Sequence, residues 1–191
     1  MAPWLCLLAL AAAPFWEAKA PSDWTEEEIA KILSDSPWAR GASAEGVARY
    51  PDAATFLATA APVRAAEEER RRRRGQERDD PDDFPEFLRS KGDQFIVLAV
   101  RVTNPVAFAD SVETTDMEKE CVLRVGRRKY PLAGHFPPLP SDPYLRLVFP
   151  REIRAGDKSL NFQIYVPGLT GPYREVEYPL KDLLYKGKPE L

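Results

Sequence analysis

The chain carries a single histidine, His135, in the run Gly134-His135-Phe136-Pro137-Pro138. One imidazole excludes zinc sites built from two or three histidines. Ser141 and Asp142 lie close enough in sequence for a nucleophile, base and orienter to be written out with it. All three fall in one proline-rich loop, however, and so short a span rarely holds the geometry a triad needs. The expected role of His135 is packing against Phe136. Cys121 alternates with Leu123 and Val125, so its thiol is expected on the apolar face of a strand, buried and unreactive.

Two charged runs invite further chemistry. Arg70 to Arg74 could meet a polyanion, but from Glu67 to Asp83 there are six arginines against four glutamates and four aspartates. The run carries its own counterions and has no interleaved aromatic ring on which a base could stack. Glu67, Glu68 and Glu69 precede Arg71, Arg72 and Arg73 by four residues each, the favourable orientation for pairs along a solvated helix face. Asp79, Asp80, Asp82 and Asp83 offer hard oxygen ligands for calcium, yet they lack the glycine and distal glutamate of an EF-hand loop. Gly-rich phosphate loops, nucleophile elbows and paired-cysteine metal motifs do not occur, and no cofactor is called for.

The elements that must position these groups begin with an address. An apolar run from Trp4 to Trp16 ends at Ala18-Lys19-Ala20. It is too short for a transmembrane helix, which needs ~20 residues, and suits a secretory leader cleaved after Ala20. The expectation is a secreted or periplasmic protein of about 170 residues with no transmembrane span. Cleavage removes Cys6 and leaves Cys121 alone, so no intramolecular disulfide is expected in the mature chain. A net charge of -3 gives no bulk attraction for nucleic acid, and 19 prolines against 10 glycines disfavour an all-helical fold.

Thr25 with Glu28 forms a capping box ahead of Ile29, Ile32 and Leu33, which predicts a helix stopped by Pro37 and flanked by Trp24 and Trp38. Residues 41–50 read as a loop, 55–59 as a weak strand, 63–74 as a second helix and 84–88 as one more helical turn. After Gly92 the pattern turns to strands. Residues 94–102 form a nearly continuous apolar run, as a central strand would. Further strands are predicted at 120–125, 129–132, 144–149, 160–166 and 174–180. Two of these alternate, with Leu160, Phe162, Ile164 and Val166 on one face, and Val176, Tyr178 and Leu180 opposed to Glu175 and Glu177. The fold class expected is mostly β, α+β overall: an immunoglobulin-like antiparallel β-sandwich over residues 93–191, a helical arm and charged linker over 21–92, and the leader over 1–20. An open barrel is the alternative.

Trp24-Thr25-Glu26-Glu27-Glu28-Ile29, Ser36-Pro37-Trp38-Ala39, Leu147-Val148-Phe149-Pro150-Arg151 and the stretch from Tyr178 to Gly187 resemble segments of uncharacterised secreted proteins of bacteria. That resemblance implies export and carries no activity. The β half is similar to generic immunoglobulin-like extracytoplasmic modules, a likeness of strand pattern that implies a fold and no function.

The function expected is a non-enzymatic binding or scaffold module acting through a protein partner. Trp24, Trp38, His135 and Phe136 are the candidate contact residues. The alternatives are an extracytoplasmic hydrolase or carbohydrate-active protein using two converging carboxylates, and a polyanion binder using Arg70 to Arg74.

Overall fold

The computed structural model describes residues 13–44, 52–75, 83–103 and 111–191. The apolar run before residue 13 and the acidic residues Asp79, Asp80 and Asp82 lie outside them. After a single turn, α1 (Phe15–Ala18), comes α2 (Glu26–Ser34), which starts where its side chains demand. The Thr25 hydroxyl accepts from the Glu28 backbone N–H at 3.1 Å, and the Glu28 carboxylate accepts from the Thr25 N–H at 2.9 Å. This reciprocal cap satisfies two of the donors that a helix start leaves open. Ile29, Ile32 and Leu33 turn inward.

Next come β1 (Ala39–Ala44), β2 (Ala53–Leu57), α3 (Ala61–Arg73), α4 (Phe84–Lys91) and β3 (Phe95–Arg101). Helix α5 (Ser111–Glu120) leads into β4 (Val122–Val125), β5 (Arg128–Pro131), β6 (Gly134–Phe136) and β7 (Tyr144–Pro150). The chain finishes with β8 (Ser159–Tyr165), β9 (Tyr173–Pro179) and a small hairpin of β10 (Leu184–Tyr185) and β11 (Lys188–Pro189). Nine strands form one antiparallel sheet in the order β5-β4-β8-β9-β1-β2-β3-β7-β6.

The sheet curls. Its two end strands, β5 and β6, follow one another in the chain, and the link between them is hydrogen-bonded both ways. Leu132 N–H donates to the Cys121 carbonyl at 3.3 Å, and Ala133 N–H donates to the Val148 carbonyl at 2.8 Å. Among the described residues the two end strands are short, four and three residues, which limits the strand edge each leaves unpaired. Inside the curl, Phe149 of β7 meets Phe162 of β8 with ring centres 5.4 Å apart, although the two strands are far from neighbours in the sheet. Phe162 also meets Tyr178 at 6.0 Å. By alternation, Leu145, Leu147 and Phe149 face this interior with their β3 partners Val100, Leu98 and Ile96.

Val97, Ala99, Arg146 and Val148 therefore point to the other side of the sheet, which helices cover. Phe84 and Phe87 of α4 pack on Phe136, each at 5.2 Å, and α2 lies along β1 and β2. Strand β3 is thus buried on both faces, which is why its sequence is continuously apolar rather than alternating.

Three expectations need correction. Residues 41–44, expected in a loop over 41–50, belong to strand β1, and the rest of that expected loop lies outside the described residues. With β2, that strand occupies the centre of the sheet between β9 and β3, so residues 21–92 are not an appended arm and residue 93 is no domain boundary. The mostly β, α+β class is as expected, while the nine strands are linked in one curled order and the two-sheet immunoglobulin-like sandwich is not confirmed.

The N-terminal turn is seated on the body. Phe15 lies edge-on to Trp24 at 6.2 Å, Trp16 to Trp38 at 6.0 Å, and Trp38 to Tyr185 at 6.5 Å. The Glu17 carboxylate accepts from the Lys186 backbone N–H at 2.8 Å, and Lys19 pairs with Glu28. A cut after Ala20 gives up this aromatic strip. No helix among the described residues is long and apolar enough to cross a membrane.

Candidate functional site

Helix α3 turns Val63, Ala66 and Glu67 toward the sheet. The spacing of Val63 and Glu67, one helical turn, places a carboxylate on an otherwise apolar face. Beneath it, Arg146 is the one charged residue in the apolar stretch Leu145 to Phe149, and it stands opposite Ala99, whose small side chain leaves room for the guanidinium. Arg146 Nη2 donates to Glu67 Oε1 at 2.8 Å and to Asp142 Oδ2 at 2.7 Å. The Arg146 side chain is 2% exposed and that of Glu67 5%. The guanidinium carbon sits 4.3 Å from the centre of the Phe84 ring. Arg70 completes the cluster, 3.8 Å from Glu67 and 5.5 Å above the Tyr144 ring.

Burial pushes the Glu67 carboxyl above its ordinary range; Arg146 and Arg70 pull it back, while Asp142 reinforces the rise. Charges this deeply placed persist only when paired, so the cluster locks α3, β7 and the residues before β7 into one arrangement.

On the solvent side of this lock, α3 and α4 enclose an open groove of about 420 Å³. Ala61, Ala65, Phe84, Pro85 and Leu88 make its apolar floor, and Arg64, Arg71 and Arg89 stand around it with Glu68. Glu67 is part of its wall. Such a groove suits a short protein segment that seats an apolar side chain on Phe84 and Leu88 and presents carboxylates to the arginines.

The residues expected to contact a partner are placed elsewhere. Trp24 and Trp38 are 3% and 0% exposed, so their rings serve the core. Trp38 Nε1 donates to the Glu190 carbonyl at 2.9 Å, and the Trp24 carbonyl accepts from Arg73 Nη2 at 2.6 Å. Phe136 sits between Phe84 and Phe87. His135 lies on β6 with Nδ1 3.7 Å from Glu118 of α5. Asp142 is engaged by Arg146 rather than by His135, so the triad that could be written from sequence is not assembled.

Cys121 is buried, and its thiol is pushed up to about 12 because burial disfavours the thiolate; its Sγ accepts from the Tyr165 N–H at 3.3 Å. The arginine run is spent mainly on its own fold. Glu69 accepts from both Arg72 and Arg73, and Arg73 also holds Glu26 at 2.8 Å. Of the ion pairs predicted at four-residue spacing, Glu69 with Arg73 forms at 2.7 Å, while Glu69 also takes Arg72 and Glu67 turns to Arg146. Among the described residues no group of three or more His, Cys, Asp or Glu is placed to hold a metal ion.

The meeting of Glu67 and Asp142 at Arg146 escaped sequence reasoning, which set Glu67 against Arg71 and Asp142 beside His135. The available signal was Arg146 itself, a charge inside an apolar strand, which is rarely tolerated without a partner. Compared with known proteins, the chain matches no family model, no curated sequence and no solved structure.

Proposed function

We propose that the protein is a non-enzymatic, secreted or periplasmic binding module that works through protein–protein contacts, with the groove between α3 and α4 as its contact surface. The observation that carries this reading is the groove's construction: an apolar floor and a ring of arginines, backed by a buried ion cluster that ties α3 to β7 and lies against the Phe84 ring of α4. Rigid walls reduce the ordering cost of binding. An apolar anchor over Phe84 would lose its hydration while acidic neighbours meet Arg64 at the rim.

Convergent carboxylates, the requirement of the hydrolase alternative, are present in a form that supports binding instead. Glu67 and Asp142 share Arg146 Nη2, so their bonded oxygens lie within 5.5 Å of one another. The guanidinium stands between them, in the place a scissile bond would need, and only Glu67 reaches the groove.

The test is site-specific photo-crosslinking of the full chain in the compartment where it is produced. A photoreactive residue at Leu88 should yield a discrete protein adduct that Arg64→Glu abolishes. The same probe at Glu177, on the outer face of β9, should yield none. Identical adducts from both positions, or no adduct from Leu88, would overturn the assignment.

A further inference from the structure

Two stretches of the chain have the small-x-small form at which an export leader is cut. One is Ala18-Lys19-Ala20. The other is an alanine tract inside the apolar run, where Ala9-Leu10-Ala11 and Ala11-Ala12-Ala13 overlap. Between the two stretches lies the segment from Pro14 to Ala20, which the fold uses as part of its body.

Phe15 and Trp16 are half-buried against the core, edge-on to Trp24 and Trp38. Loss of the segment would open these two tryptophans, now enclosed, to water as one apolar patch. The Glu17 carboxylate acts on the backbone. The N–H it accepts belongs to Lys186, which has a φ of 50° ahead of Gly187 at 73°. Side chains disfavour that left-handed backbone, so the turn between β10 and β11 is held from outside by Glu17. Glu190 follows that hairpin. Its carbonyl receives Trp38 Nε1, and its carboxylate accepts the Ala61 N–H at 2.8 Å, one of the donors left open at the start of α3. Ala61 lines the α3–α4 groove. The N-terminal strap thus braces, through Trp38 and the hairpin, the helix start on which the proposed contact surface is built.

The bond that follows Ala20 is also poorly presented. Ala18 N–H donates to the Pro14 carbonyl at 3.1 Å, and the Ala20 carbonyl accepts from the Asp23 N–H at 2.9 Å. A protease takes its substrate as an extended strand and draws the carbonyl of the scissile bond onto its own donors. Both groups are already engaged here, and Pro21 brings no N–H on the leaving side. A cut between Ala11 and Ala12 has an ordinary alanine N–H in that place.

We infer that the leader is processed ahead of the strap, at the Ala11–Ala12 bond, and that the mature protein keeps Pro14 to Ala20 as a structural segment. The inference rests on the reading of the chain as exported. In the cut, water adds across the peptide bond: its hydroxyl goes to the Ala11 carbonyl carbon and its proton to the Ala12 nitrogen.

The experiment is intact-mass measurement and N-terminal sequencing of the full chain with a C-terminal affinity tag, recovered separately from the cytoplasm and the extracytoplasmic fraction of a bacterial host. The exported species should begin at Ala12. Ala11→Asp puts a charge where both overlapping triplets need a small side chain and should leave most of the chain uncut. Ala20→Asp, at an exposed position, should change neither the place nor the extent of cutting. An exported chain that begins at Met1 or at Pro21 overturns the inference while export stands. So does cutting that Ala20→Asp blocks and Ala11→Asp does not. A chain found only in the cytoplasm, uncut, overturns the export reading and this inference with it.

Discussion

Replacing Arg146 by methionine keeps a long side chain against the Phe84 ring while removing the charge that Glu67 and Asp142 share. Glu67 would then be buried with only the more distant Arg70 to oppose it. Breaking a buried pair from one side costs about 3–5 kcal/mol, because the remaining charge has lost its hydration without compensation. The pH dependence gives the test its sharpness. Burial already holds the folded Glu67 pKa above its unfolded value, so as the pH falls the folded state takes up this proton first. The penalty of an ionised Glu67 is therefore absent below the unfolded pKa and grows as pH rises toward the folded one. Removing Arg146 moves the folded pKa further up, so the deficit of the variant must be larger near pH 7 than near pH 5. Urea unfolding followed by circular dichroism at both pH values measures it. The expected result is a loss of about 3–5 kcal/mol near neutrality and at least about 1 kcal/mol less near pH 5, with Glu67→Gln in the Arg146→Met background recovering part of the loss. A deficit below about 1 kcal/mol, or one that does not change with pH, would refute the reasoning that a buried charge cluster fixes α3 to β7.

Three other outcomes follow from the same contacts. Trp16→Ala removes a half-buried ring from Trp38 and should cost about 2 kcal/mol in chemical denaturation, roughly half the penalty for truncating a core aromatic; a chain beginning at Pro21 should lose at least as much. Glu69, held down at about 2 by Arg72 and Arg73, contributes stability that is present above its ordinary pKa of 4.5 and lost as the pH falls toward 2. Glu69→Gln should accordingly flatten the acid limb of the stability curve, and an unchanged limb would show that the clamp contributes nothing. Cys121 should resist a thiol reagent in the native protein and react at the rate of unfolding, since burial keeps it protonated; fast labelling without denaturant would contradict the structure.

How much was legible depended on whether the signal was local. The capping box at Thr25, the doubly buried run of β3 and the alternation of β8 and β9 are periodic patterns over a few residues, and each appears where its sequence places it. Strand β1 was illegible because Ala39-Arg40-Gly41-Ala42-Ser43-Ala44 has no β-branched or aromatic side chain to mark it. It is a strand because β2 and β9 supply its hydrogen bonds and Asp52 packs over Gly41. Strand β6, only three residues long, hid in a proline-rich stretch and is extended by its pairing with β7.

The sequence by itself determined the helices α2 and α3, the strands β3, β7, β8 and β9, and that Cys121 is an inert core residue, since burial on one face follows from spacing alone. Only the tertiary structure decided that Trp24 and Trp38 belong to the interior, that the arginine run turns back on its own fold, and that Glu67 meets Arg146 from 79 positions away in the chain. Which charges meet depends on how the sheet curls and where helices settle upon it. That arrangement minimises exposed apolar area and unpaired charge over the whole molecule at once, and no short window of residues contains it.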